Sequence, residues 1–255
     1  MHLLSPLLRA LVPETASPSY RLRLCTSPQE LAAIQRLRFQ VFNLELKEGL
    51  SASYQTGLDQ DPFDDVCEHL LVEHMPSRAV IGTYRMQTGE QAREQLGYYC
   101  SGEFDLSPYE ALRAEILELG RACIHPDHRS FSVLSMLWRG IAQYANHTGT
   151  RYLLGCSSLT SQDPAIGLQA YWTLSPYLAP EPLRTLPLAH MACEASVVPA
   201  GDLKMPKLLS AYLALGAWIC GPPAIDTQFK TIDFLTLMDL RSPEMAQRRK
   251  RFGIG

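Results

Sequence analysis

The run Ile116-Leu117-Glu118-Leu119-Gly120-Arg121-Ala122-Cys123-Ile124-His125-Pro126 constrains this chain more than any other stretch. It has the apolar pattern of a buried strand, yet it carries a carboxylate and, three residues on, a guanidinium. An ionisable group in such a strand costs several kcal/mol unless it is paired or useful. Glu118 and Arg121 are therefore either a structural ion pair or the floor of an active site. The strand itself demands a sheet with this segment near its centre.

The flanking sequence supplies that sheet. Tyr20 to Cys25 alternates as a first strand. Ser27-Pro28-Gln29-Glu30 is a helix start with a cap, a proline at the first helical position and a capping-box glutamate. Leu31, Ile34, Leu37, Arg38, Val41 and Phe42 carry that helix to about Leu46. A polar loop from Gly49 to Asp65 holds four aspartates. His69–His74 and Ala79–Gln87 read as a hairpin, and 89–102 as irregular or helical. After the central strand come a helix over Val133–His147 stopped by Gly149, a strand over Arg151–Cys156 and a helix opened by Asp163-Pro164. Pro-rich loop fills 176–206, followed by a helix over Leu208–Leu215 and a strand over Thr231–Met238. This order predicts one α/β (α+β) domain over 19–241 with a mixed central sheet flanked by helices. Residues 1–18 read as a leader and linker, and 242–255 as a solvated basic tail.

Composition narrows the function. A net charge of −3 gives no whole-protein signal for nucleic acid. Only 19% of residues are charged, which suits an apolar groove or a protein working near a membrane. Seven cysteines, an odd number with no CxxC, argue against a disulfide framework and a zinc site and for a reducing compartment. His125 and His128 have no partners at metal-ligand spacing, so no metal is expected. There is no G-x-S-x-G elbow and no Walker loop. Scattered core cysteines are usually packing residues, and Cys123 is the one that lies beside the proposed site.

Four segments occur in a telling order: Arg38-Phe39-Gln40-Val41-Phe42, Asp61-Pro62-Phe63-Asp64, Val80-Ile81-Gly82-Thr83-Tyr84-Arg85 and Glu118-Leu119-Gly120-Arg121. Together they resemble the carrier-protein-dependent branch of the GNAT N-acyltransferases. Cys67-Glu68-His69-Leu70 and the 120–126 run are similar to the ornithine N-acyltransferases of ornithine-lipid synthesis, related to the acyl-homoserine-lactone synthases. The resemblance spans roughly residues 20–240. It implies a GNAT-like fold and transfer of a 3-hydroxyacyl chain from acyl carrier protein to the α-amine of an amino acid, foremost ornithine, giving a lyso-ornithine lipid.

Such chemistry needs a base for the attacking amine and donors for the oxyanion. Glu118 is the candidate base, with Arg121 ordering it or binding the acceptor's carboxylate. Arg38 and Arg85 are candidates for tying the loop to the sheet. Asp61 and Asp64 either face a cationic acceptor or pair with those arginines. Strand N–H groups near Ala122 and Cys123 would form the oxyanion site, and Arg129 shapes the turn whose following helix faces the pantetheine phosphate. Trp172, Tyr177 and Trp218 suit an acyl groove as well as they suit ordinary core.

The donor is a phosphopantetheine thioester used as co-substrate, with no bound cofactor expected. Acetyl-CoA-using relatives carry Q/R-x-x-G-x-G/A at the turn where this chain has Arg129-Ser130-Phe131-Ser132-Val133-Leu134. Without those glycines successive N–H groups cannot wrap a diphosphate as easily, which favours the single phosphate of a carrier protein. Expected partners are acyl carrier protein, docked on Arg129, Arg139 or the Arg248–Arg251 cluster, the amino-acid acceptor and a membrane surface, with no nucleic acid. The expected location is cytoplasmic, peripheral to the inner face of the membrane. Alternatives are a lactone-type signal synthase, an acetyl-CoA N-acetyltransferase and a non-catalytic acyl-carrier or lipid-binding module.

Overall fold

The computed structural model describes residues 15–201 and 203–245. Its strands are β1 (Thr15–Ala16), β2 (Tyr20–Leu24), β3 (Glu68–His74), β4 (Ala79–Thr88), β5 (Ile116–Ile124), β6 (Tyr152–Leu159), β7 (Trp218–Ile219), β8 (Ala224–Asp226) and β9 (Thr231–Asp239). The main helices are α1 (Pro28–Phe39), α2 (Gly89–Glu94), α3 (Phe131–Thr148), α4 (Pro164–Thr173) and α5 (Lys207–Ala214). One mixed sheet runs β1-β2-β3-β4-β5-β6-β9-β7, with β8 also paired to β9.

All strand pairs are antiparallel except β5 with β6. A parallel pair needs a crossover, and α3 provides it. Ser130 caps that helix by accepting from Val133 N, and Gly149 ends it at φ 72°. Its apolar face, including Val133, Leu137 and Ile141, buries against Leu22, Leu70, Val72 and Met86. On the opposite face, α1 and the helical turn that continues it bring Leu37 and Val41 onto Cys123 and Phe229.

Two irregularities in β5 shape everything that follows. Arg85 pairs with Gly120 and Thr83 with Cys123, so Arg121 and Ala122 together stand opposite Tyr84 as a bulge. Arg121 accommodates it in the left-handed region, at φ 51°. On the other edge, β5 and β6 pair only from Ile116–Tyr152 to Glu118–Leu154, and then part. Gly155 sits at the parting point, where a Cβ would lie 2.3 Å from the Leu119 carbonyl oxygen.

Several expectations need correction. The leader does not run to residue 18, because Thr15 and Ala16 pair with Leu22 and Arg21 as an edge strand. Residues 1–14 and the basic cluster 248–251 lie outside the described residues. The first helix leaves α-geometry at Phe39 and continues as a π-helical turn over Gln40–Glu45. Glu30 reaches back to Thr26 N, not to Ser27. The 49–65 loop is partly ordered by a helical turn at Ser53–Thr56 and a 3₁₀ turn at Pro62–Asp65. Strands β7 and β8 are too short to show a period in the sequence.

Candidate active site

Three arginines meet three aspartates beneath the sheet. Arg38, fully buried, donates from Nε to Asp59 Oδ2 at 2.7 Å and grips Asp64 through both terminal nitrogens at 2.7 and 2.9 Å. Arg85 reaches Asp61 Oδ1 at 2.6 Å and Asp64 Oδ1 at 2.9 Å. Arg121 reaches Asp61 Oδ2 at 3.0 Å and Asp59 Oδ2 at 3.4 Å. Burial pushes the Asp64 carboxyl up, but Arg38 and Arg85 outweigh it and hold the group well below the usual carboxylate range. The rings of Phe63, Tyr99 and Phe229 cover the outer guanidiniums. Arg121 stands 4.4 Å from the Phe229 centroid and 4.8 Å from Tyr99, and Arg85 5.1 Å from Tyr99.

This network decides between the two readings of the loop carboxylates. Asp61 and Asp64 are ion-pair partners of Arg85 and Arg38. They and Arg38 stand behind the cavity wall, whereas Arg85 and Arg121 reach it. Glu118 and Arg121 do not form a pair. Neighbours on one strand at i and i+3 point to opposite faces unless a bulge intervenes. Here the bulge turns Arg121 to the same side of the sheet as Glu118, but its guanidinium is taken up by the aspartates and the carboxylate by other donors.

Glu118 has other partners. Its Oε1 accepts from Cys100 N at 2.8 Å, and its Oε2 from Tyr99 N at 3.0 Å and Gln87 Nε2 at 2.5 Å. The carboxylate thus receives N–H groups at the start of the 3₁₀ turn Tyr99–Gly102 that have no partner within the turn, and fixes that turn to the sheet. It also lines a cavity of about 650 Å³.

The cavity passes through the gap between β5 and β6. Leu119, Gly120, Ala122 and Cys123 form its rim, with the β6-facing edge of β5 unpaired to β6 beyond Glu118. The Cys123 thiol is buried and pushed up to about 12, which leaves it unsuited to nucleophilic attack. Arg129 also borders the cavity, but both its terminal nitrogens hold Glu45 at 2.6 Å. One end is apolar, walled by Leu134, Trp138, Leu208 and Tyr212 from α3 and α5. The aromatic residues expected there do not contribute. Trp172 and Tyr177 are exposed at 67% and 44%, and Trp218 packs with a separate core cluster.

The other end is acidic. Glu103, Asp226 and Asp233 are buried there with ligand oxygens within 4.8 Å of one another, the one metal-capable carboxylate group found among the described residues. Sequence reasoning missed all three. Yet Ile232-Asp233-Phe234 gives the same signal as Leu117-Glu118-Leu119, a lone carboxylate in an apolar strand. The Phe63, Tyr99 and Phe229 collar had no comparable signature.

Comparison with known proteins identifies the fold and the family. Residues 37–139 match the family described as an acetyltransferase (GNAT) domain. Among solved structures, the N-acyl amino acid synthase FeeM from uncultured soil microbes superposes with a TM-score of 0.56 at 13% identity, covering 92% of this chain and 98% of that one. The AHL synthase LasI gives 0.51 at 13% identity, covering 92% and 95%. These likenesses speak for the fold, and fold and site define an acyltransferase of GNAT type. An L-ornithine N(alpha)-acyltransferase of Rhodobacter capsulatus is 34% identical over 247 residues, covering 92% of this chain and 94% of its own. One from Brucella abortus is 33% identical over 243 residues, covering 87% and 85%. The chain belongs to the L-ornithine N(alpha)-acyltransferase family.

Proposed function

We propose that this chain moves a 3-hydroxyacyl group from the pantetheine thioester of acyl carrier protein to the α-amine of ornithine, releasing a lyso-ornithine lipid. The observation that carries the reading is one cavity with an apolar arm and an acidic arm, joined where β5 and β6 part. The pantetheine would enter along the open β5 edge, where amide groups find strand partners. Its acyl chain would lie against Trp138, Leu208 and Tyr212. The amine would come from the Glu118 side.

In this scheme the α-ammonium gives a proton to Glu118, directly or through water, and the free amine attacks the thioester carbonyl. The tetrahedral oxyanion accepts from N–H groups of the bulged strand at Ala122 and Cys123. Collapse expels the pantetheine thiolate, and the second proton that the nitrogen loses as the amide forms goes to that thiolate. Arg121 and Arg85, fixed by the aspartates, set the bulge and the charge around it. Helix α3 starts at the cavity rim and offers its N–H groups to the single phosphate. The product is amphipathic, which fits work at the inner membrane surface. No helix among the described residues is long and apolar enough to cross a membrane.

The test is turnover. Purified protein is incubated with 3-hydroxyacyl carrier protein and an amino-acid mixture, and N-acyl products are followed by mass spectrometry. N-acyl-ornithine, reduced by about 100-fold or more in Glu118→Gln, is expected. Carrier-protein binding without any product would refute catalysis, and acylhomoserine lactone would replace the assignment.

A further inference from the structure

The acidic arm contains more negative charge than the fold can use. Glu103 follows the 3₁₀ turn that Glu118 holds, Asp226 closes β8 and Asp233 is the third residue of β9. Their relative exposures are 4%, 8% and 4%. Among the described residues no arginine, lysine or histidine pairs with any of the three. The cationic groups nearest along the cavity wall, Arg85 and Arg121, already face Asp59, Asp61 and Asp64.

The carboxylates are only partly satisfied. Asp226 Oδ1 accepts from Gln228 N and Phe229 N, both at 2.8 Å. Asp233 Oδ2 accepts from Thr231 Oγ1 at 3.1 Å, the Asp233 carboxyl also interacts with the Ser158 side chain and with Glu103, and Glu103 Oε2 lies 3.7 Å from Cys156 Sγ. Asp233 Oδ1 is buried, faces the cavity arm and has no hydrogen-bond partner among the described residues. A buried, unpartnered carboxylate oxygen costs free energy that a bound cation would return.

We propose that Glu103, Asp226 and Asp233 receive the side-chain ammonium of a dibasic amino-acid acceptor and select it over neutral amino acids. This rests on the acceptor reading above. An ammonium offers three N–H donors, matching three convergent carboxylates, and does not need the fuller oxygen shell of a hard metal ion. The trio adjoins Glu118 through Cys100 and Cys156, whose sulfurs are 3.4 Å apart. A short methylene chain thus carries the α-amine toward Glu118 while the side-chain amine sits in the trio. Burial, and then the Asp233 and Asp226 charges, raise the Glu103 carboxyl well above its usual range. Burial likewise raises Asp233. An arriving ammonium should therefore discharge protons from the cluster.

The experiment compares ornithine with norvaline, which lacks only the side-chain amine, in the wild-type enzyme with one acyl donor. Wild type should favour ornithine in kcat/KM by about 10- to 100-fold, the worth of a charge-assisted contact. Asp233→Asn and Glu103→Gln should collapse that ratio toward one. Calorimetry in buffers of different ionisation enthalpy should register proton release with ornithine and not with norvaline. Equal use of the two amino acids by wild type would overturn the subsite while leaving N-acyl transfer standing. Acylation of neither would instead defeat the functional reading. Tight binding of Mg²⁺, Mn²⁺ or Ca²⁺ at the trio, abolished in Asp233→Asn, with no ornithine preference, would overturn the ammonium assignment in favour of a metal.

Discussion

At the scale of single residues, the interior of this enzyme is governed by charge pairing. Arg38 has no contact with the cavity, yet it holds two buried aspartates. Replacing it with Met leaves Asp59 and Asp64 short of a partner in a dry site, which costs about 3–5 kcal/mol. Arg38→Lys keeps the charge but cannot reproduce the fork, so it should fall between. Urea unfolding of the two variants checks this order, and equal midpoints for wild type and Arg38→Met would contradict it. The sequence marked Arg38, Arg85, Asp61 and Asp64 as important. It could not say which ones touch substrate, because partner choice depends on a bulge that leaves no mark in the side-chain pattern.

At the scale of elements, the parting of β5 and β6 creates the site. Gly155 is the residue that tolerates the approach of the Leu119 carbonyl. Gly155→Ala puts a methyl into that contact and should displace β5 by tenths of an ångström or more. Overpacking of this kind costs about 1–3 kcal/mol. Misplacing the strand that is proposed to bind the thioester should lower kcat/KM on the order of 100-fold. Urea midpoints and steady-state rates, measured together, separate the two effects, and an unaltered rate would mean that the gap is not the site of transfer. Long elements were legible from their caps and periods: Ser27, Asp163 and Gly149 act at the ends of helices as expected, whereas the cap that Ser130 supplies to α3 was not foreseen. The π-turn at Gln40–Glu45 and the two- and three-residue strands were not. Their geometry is imposed by neighbours distant in sequence.

At the scale of the whole molecule, two adjacent residues of β3 give stability opposing responses to pH. Burial raises Glu68 from an ordinary 4.5 to about 7. Its contribution is full below 4.5 and is lost as pH rises through about 7. Burial lowers His69 from 6.5 to about 4, and its Nε2 lies 3.0 Å from the Asp64 carbonyl oxygen, which can only accept, so the neutral ring donates. That contribution is present above 6.5 and is lost as pH falls through about 4. Glu68→Gln should remove the alkaline loss. Its stability relative to wild type should climb between pH 4.5 and about 7 by up to about 3 kcal/mol, then level off. Unfolding curves at a series of pH values check this, and parallel profiles would rule it out.

The position of β9 carries a consequence for synthesis. It is the last strand among the described residues, yet it lies inside the sheet between β6 on one side and β7 and β8 on the other. A ribosome-bound chain that has emerged only to residue 230 lacks Asp233, lacks the strand beside β6 and leaves that edge open. Edge pairing with another nascent chain is then the hazard to be managed. Because the β6–β9 pairing also spans a long separation in sequence, closure should be slow and come late. Acyl transfer then switches on only once β9 has emerged, and chaperone demand should peak just before it.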